Sequence, residues 1–139
     1  MSVLRELGAT VVDLGPATTE SVDYPDFAAR VGRAVAATPG SRGLLCCGSG
    51  LGVNIAANKL HGIRAVTPWD DETARLSRAH NDTNVVCFGE RTMDPALSER
   101  LLRIWWATPF DGGRHAARVA KIDRLDEAPS ATAPPGDAV

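Results

Sequence analysis

Gly43-Leu-Leu-Cys-Cys-Gly-Ser-Gly-Leu-Gly-Val-Asn-Ile-Ala-Ala-Asn58 decides the fold. Its front part belongs to a short apolar strand expected over Arg42–Cys47, and its rear part to a helix expected over Leu51–Lys59. Gly48, Gly50 and Gly52 lie between, where the backbone must bend tightly and can present N–H groups without interfering side chains. The start of a helix adds the positive end of its dipole at the same place. Cys47 therefore stands where a thiolate is favoured, and a ligand oxyanion would find several donors beside it. That combination suits carbanion or enediolate chemistry on a small anionic substrate.

Outward from this stretch the pattern alternates. Thr10–Leu14 reads as a short buried strand, and Tyr24, Phe27, Ala28, Val31, Ala34 and Val35 recur at helical spacing behind Pro25. Ile63–Thr67 reads as a third strand, followed by a helix from about Asp70 whose first turn is acidic. Asn84–Phe88 is a fourth strand. Asp94-Pro95 then has the look of an N-cap and first helical residue, with Leu97, Leu101, Ile104 and Trp105 as the buried stripe. A last helix is expected from Gly112-Gly113 to about Leu125. The alternation implies an α/β fold: a three-layer, Rossmann-like parallel sheet with helices on both faces and ligands at the carboxyl ends of its strands. The turns at Cys47, Trp69-Asp70 and Gly89-Glu-Arg91 fall on that edge. Ser2–Leu7 reads as the tail of a helix with no strand before it, so the sheet is expected to lack its first strand. The domain is expected over residues 1–127, with 128–139 a disordered Pro/Ala-rich tail.

Composition narrows the function. With 139 residues the chain has room for one domain with a core, and its 44% hydrophobic and 23% charged residues are those of a soluble globular protein. A net charge of −2 gives no polycationic surface for nucleic acid. No apolar run reaches the roughly 20 residues of a membrane span, and the N-terminus has no signal-peptide pattern. Three cysteines, two of them adjacent, make no disulfide framework, which fits a reducing cytoplasm.

The glycine turn departs from better-known phosphate loops. A dinucleotide fingerprint would need glycine at Val53, a P-loop would need Gly-Lys-Ser/Thr, and a cysteine phosphatase loop would need arginine at Val53. Cys46 and Cys87, inside strands, read as small buried hydrophobes. His80-Asn81 closes a helix, where a histidine is favoured by the dipole and asparagine by a left-handed stop; the pattern serves catalysis equally well. Arg114, Arg118 and Lys121 share one helical face, which is either solvated surface or a clamp for phosphate.

Together these segments resemble the type B ribose-5-phosphate isomerases and the related galactose-6-phosphate isomerase subunits. The resemblance rests on Ser21–Ala28, Cys47–Gly52, Ile55–Lys59, Gly62–Ala65, Ser77–Val85, Gly89–Arg91 and Gly112–Val119, in order and at matching spacing from about Leu4 to Leu125. It implies an aldose–ketose isomerase working through a cis-enediolate with no metal or cofactor, on ribose 5-phosphate or on a tetrose or hexose phosphate. A non-catalytic sugar-phosphate-binding paralogue is the other reading. Cys47 matches the family's base, Ser49 a Thr/Ser position in the turn, and Gly48, Ser49, Gly50, Leu51 and Gly52 the segment whose amides stabilise the enediolate. His80 matches the ring-opening histidine, Asn81 a residue holding substrate hydroxyls, and Arg114 and Arg118 the phosphate-binding pair. Arg91 matches an arginine that reaches a neighbouring subunit's site, in a homodimer or homotetramer with shared active sites. The family's opening strand with its Asp-His pair has no counterpart in this sequence.

Overall fold

The computed structural model describes residues 2–126, and the tail expected at 128–139 lies outside them. Three parallel strands form the sheet: β1 (Gly43–Cys47), β2 (Ala65–Val66) and β3 (Val85–Gly89), in the order β1-β3-β2. Gly43 pairs with Val85 and Cys47 with Gly89, while Ala65 and Val66 pair with Val85 and Val86 on the other side. Every residue of β3 is buried. Its apolar run is what a strand covered on both faces requires.

The alternation of side chains along β3 sorts the core into two layers. Val85 and Cys87 join Leu45 on the face covered by α2 (Tyr24–Ala37) and α3 (Leu51–Ala57), which contribute Ala28, Val35, Val53 and Ala57. Val86 and Phe88 face the other way, against Ala74 of α4 (Asp71–Asn81) and Leu101, Leu102 and Trp105 of α5 (Pro95–Ala107). Leu4 of α1 (Ser2–Glu6) joins this second layer, and α6 (Arg114–Asp123) packs beside α4 before a 3₁₀ turn at Arg124–Asp126. The three-layer α/β sheet expected from the sequence is present.

Helix ends follow their residues. Asp70 caps α4 by accepting from the Thr73 N–H at 2.8 Å, with the Thr73 side chain returning to the Asp70 N–H, and Asp94 accepts from Ala96 and Leu97 at the start of α5. At the end of α4 the left-handed residue is Asp82 (φ 45°), where the sequence points to Asn81. The Asp82 carboxylate offsets the strain by pairing with Arg64 at 3.0 Å and Arg78 at 2.7 Å.

Two strand expectations are corrected. The Ile63–Thr67 strand shortens to Ala65–Val66, because Asn58 occupies its outer edge: the carboxamide accepts from the Ala65 N–H at 2.8 Å and donates to the Ala65 carbonyl at 3.0 Å. Thr10–Leu14 makes no ladder at all. Between it and β1 lies a cleft of about 630 Å³ lined by Val11, Leu14, Val31, Leu44, Cys46 and Trp106, among others. Gly43 donates its N–H to Asn84 and Cys47 accepts from Glu90, so alternate residues of β1 face β3. The backbone groups of Leu44 and Cys46 therefore face the cleft.

Candidate active site

The carboxyl ends of the strands gather the first part of the site. β1 ends at Cys47, and the chain turns through Gly48, Ser49 and Gly50 into α3. Gly50 adopts φ 78°, which favours glycine, and its Cβ position would crowd the Phe88 and Gly89 backbone at 3.0 Å. This shape directs the Gly50 N–H back onto the Cys47 sulfur at 3.2 Å. Burial alone would raise the Cys47 thiol; the amides of Ser49, Val53 and Gly50, with the Arg91 guanidinium, outweigh it and hold the group below the ordinary thiol range. Burial instead pushes the Cys87 thiol up to about 12, so that group stays an inert part of the core.

Arg91 belongs to this same turn. Its N–H donates to the Gly48 carbonyl at 2.9 Å, and its guanidinium lies so close over Gly48 that any side chain there would collide with it. The structure thus sets Arg91 beside the cysteine of its own chain, where the resemblance implies a reach into a neighbour's site. The Leu51 N–H donates to Ser49 Oγ at 3.4 Å, Thr92 Oγ1 to the Ser49 carbonyl at 3.3 Å, and Thr67 Oγ1 to the Gly50 carbonyl at 3.4 Å. Hydroxyls from two further loops therefore brace the turn. The Tyr24 ring packs against Gly52. Sequence spacing places Tyr24 in the core stripe of α2, but the residue is exposed, at the first turn of that helix and beside the site. Cys46 is likewise exposed rather than buried, because β1 borders the cleft.

The second part of the site stands elsewhere. α4 starts beyond the carboxyl end of β2 and runs back, 11 residues or about 16 Å, to the amino edge of the sheet. His80 and Asn81 are at that far end, where the Asn81 carbonyl accepts from Arg64, the residue just before β2. The His80 ring is stacked on His115 of α6, with centroids 4.1 Å apart and planes 6° from parallel. Asp111 approaches His80 Nε2 at 3.9 Å. Arg114 and Arg118 are exposed on α6 and have no ion-pair partner among the described residues. One chain therefore unites Cys47, Ser49, Gly48–Gly52 and Arg91 at one edge, and His80, Asn81, Arg114 and Arg118 at the other. Among the described residues no group of three or more His, Cys, Asp or Glu side chains is arranged to hold a metal ion.

Comparison with known proteins gives the class. The profile of the family described as Ribose/Galactose Isomerase matches residues 1–122. Ribose-5-phosphate isomerase B of Escherichia coli (strain K12) is 43% identical over 124 residues, covering 89% of this chain and 83% of its own. D-erythrulose-4-phosphate isomerase of Pectobacterium atrosepticum is 37% identical over 120 residues, covering 86% of this chain and 79% of its own. Among solved structures, Clostridium thermocellum ribose-5-phosphate isomerase B superposes with a TM-score of 0.86 at 44% identity, covering 90% of this chain and 84% of that one. The chain belongs to the ribose/galactose isomerase family. It is an aldose–ketose isomerase of the sugar-phosphate type.

Proposed function

We propose that this chain interconverts ribose 5-phosphate and ribulose 5-phosphate through a cis-enediolate, without a metal. The observation that carries the reading is the Cys47 thiol, held below its ordinary range by backbone amides and by Arg91. The thiolate takes the proton from C2, the electron pair forms the C1=C2 bond, and charge moves onto the C1 oxygen. Amides of the 48–52 turn are the donors for that oxyanion. The thiol then returns the proton to C1, while the hydroxyl proton on O2 passes to O1 and leaves the ketone. His80 serves ring opening, Asn81 holds substrate hydroxyls, and Arg114 and Arg118 grip the phosphate bidentately.

These roles require one substrate to meet both groups of residues. Since α4 carries His80 its full length, about 16 Å, away from the carboxyl edge where Cys47 stands, the reading entails a homodimer in which one copy's turn faces the other copy's His80 and arginines. Exposed Tyr24, Leu51, Ile55 and Trp69 flank the turn and supply an apolar rim for that contact. The three free thiols fit a cytoplasmic setting, and no helix among the described residues is long and apolar enough to cross a membrane.

A second reading, isomerisation of a tetrose phosphate, is favoured by the 37% identity to the erythrulose-phosphate enzyme. Assay of the purified chain on ribose 5-phosphate, erythrose 4-phosphate, allose 6-phosphate and unphosphorylated ribose decides between them. Ribose 5-phosphate is expected to give the highest kcat/KM; a preference for the tetrose establishes the second reading, and indifference to the phosphate overturns both.

A further inference from the structure

Asp111 and His115 bracket the glycine pair that precedes α6, and both return to the same ring on another helix. The Asp111 N–H donates to the Ala79 carbonyl at 2.9 Å, which ties this turn to the end of α4. The His115 N–H donates to the Gly112 carbonyl at 3.0 Å, which fixes the first turn of α6. Held between these anchors, the His115 imidazole lies flat on His80 at 4.1 Å while the Asp111 carboxylate stands at its Nε2 edge, 3.9 Å away. A side chain at the last turn of a helix and 36% exposed would otherwise sample several rotamers.

Two imidazoles stacked face to face repel each other when both carry a proton. The charged groups around the pair are unevenly placed. Asp111 lies against His80, and Glu72 of α4 is also within its electrostatic reach. His115 shares α6 with Arg114 and Arg118; desolvation first, then His80, Arg114 and Arg118, hold it below the ordinary imidazole range against the pull of Asp111.

We infer that His115 is a positioning residue for His80: its stacked ring, with the Asp111 carboxylate at the Nε2 edge, fixes the orientation of the imidazole. This rests on the reading of His80 as the ring-opening group. His80 then meets the sugar with its ring already oriented for the opening of the C1–O bond. His115 touches the reaction only through it.

The test uses the full chain with labelled histidine, following the His80 ring C–H signals by NMR, alongside kcat and KM. In the wild type those signals are expected to carry the ring-current displacement of a stacked partner and cross-peaks to the His115 ring. His115→Phe keeps a flat ring and is expected to keep a displaced His80 signal, with activity within about threefold of wild type. His115→Ala removes the stack and is expected to lose the displacement and to lower kcat about tenfold while KM changes little; if that variant does not fold, His115→Leu, which fills the space without a flat ring, carries the test. Wild-type kcat in a folded variant that has lost the displacement overturns the inference. Unimpaired turnover of ribose 5-phosphate in His80→Asn overturns the underlying role of His80 instead, and the two failures are read on different signals.

Discussion

Arg91 grips the turn that holds Cys47 twice, by a main-chain bond to the Gly48 carbonyl and by a guanidinium laid over the same glycine. One residue thus fixes the loop's shape and places a positive charge beside the thiol. A larger residue at position 48 would separate the two effects, since it must push the guanidinium away. Arg91→Gln is expected to move the pH midpoint of Cys47 alkylation upward, because the thiolate loses a neighbouring cation. The wild-type alkylation rate is expected to rise with pH as the thiolate forms and to level off below the range of an ordinary thiol. Coincident rate–pH curves for wild type and Arg91→Gln would show that the amides alone set the thiol.

Cys47→Ala is expected to reduce turnover by about 10²-fold or more while leaving the melting temperature nearly unchanged, as suits a general base rather than a packing residue. Cys46→Ala serves as the control and keeps most of the activity. Circular dichroism melting and steady-state assays on the two variants make the comparison. Retained turnover in Cys47→Ala removes the proposed proton transfer.

For the proposed phosphate clamp, Arg114→Ala and Arg118→Ala should act mainly on KM for the phosphorylated sugar. Lysine at either position restores part of the loss, because an ammonium group cannot make the planar two-point contact. A fall in kcat with KM unchanged would place these arginines in the chemistry instead.

Subunit mixing tests how the site is divided. Cys47→Ala and Arg118→Ala alter opposite edges of the sheet, so a mixed dimer is expected to contain one site with every group intact. Cys47→Ala mixed with Arg91→Ala regains nothing, because both residues serve the same turn. Recovery in the second mixture and silence in the first would reverse the assignment of Arg91.

His80 has a substrate-based test. Ribose 5-phosphate closes into a furanose, whereas a tetrose blocked at O4 by its phosphate stays open. His80→Asn is therefore expected to lose far more activity on the pentose than on erythrose 4-phosphate. Equal losses on the two substrates would move His80 from ring opening to the isomerisation step.

The strand, turn and helix around Cys47 were legible because each carries its own local signal: an apolar run, then glycines, then helical spacing. Thr10–Leu14 carries the same apolar signal, but a strand also needs a neighbour, and none borders it among the described residues. Cys46 fails for the complementary reason: its strand is a border strand, so a residue read as interior is exposed. Tyr24 shows that spacing identifies a helix face and not its depth, since the first turn of α2 overhangs the Cys47 turn. The separation of His80 from Cys47 was available in the sequence. A helix joining two parallel strands must run back to the amino edge, so a residue at its end cannot stand beside the tip of a strand. Stacking of His80 on His115 was not available, because it depends on how α4 and α6 dock.

The alternation of backbone groups along β1 divides this one strand into two populations in time. The amides of Gly43, Leu45 and Cys47 are turned toward β3, and exchange their hydrogens with solvent only when the central ladder opens. Those of Leu44 and Cys46 face the cleft and need no such opening, so neighbouring residues of a single strand are expected to differ in protection as a core does from a loop.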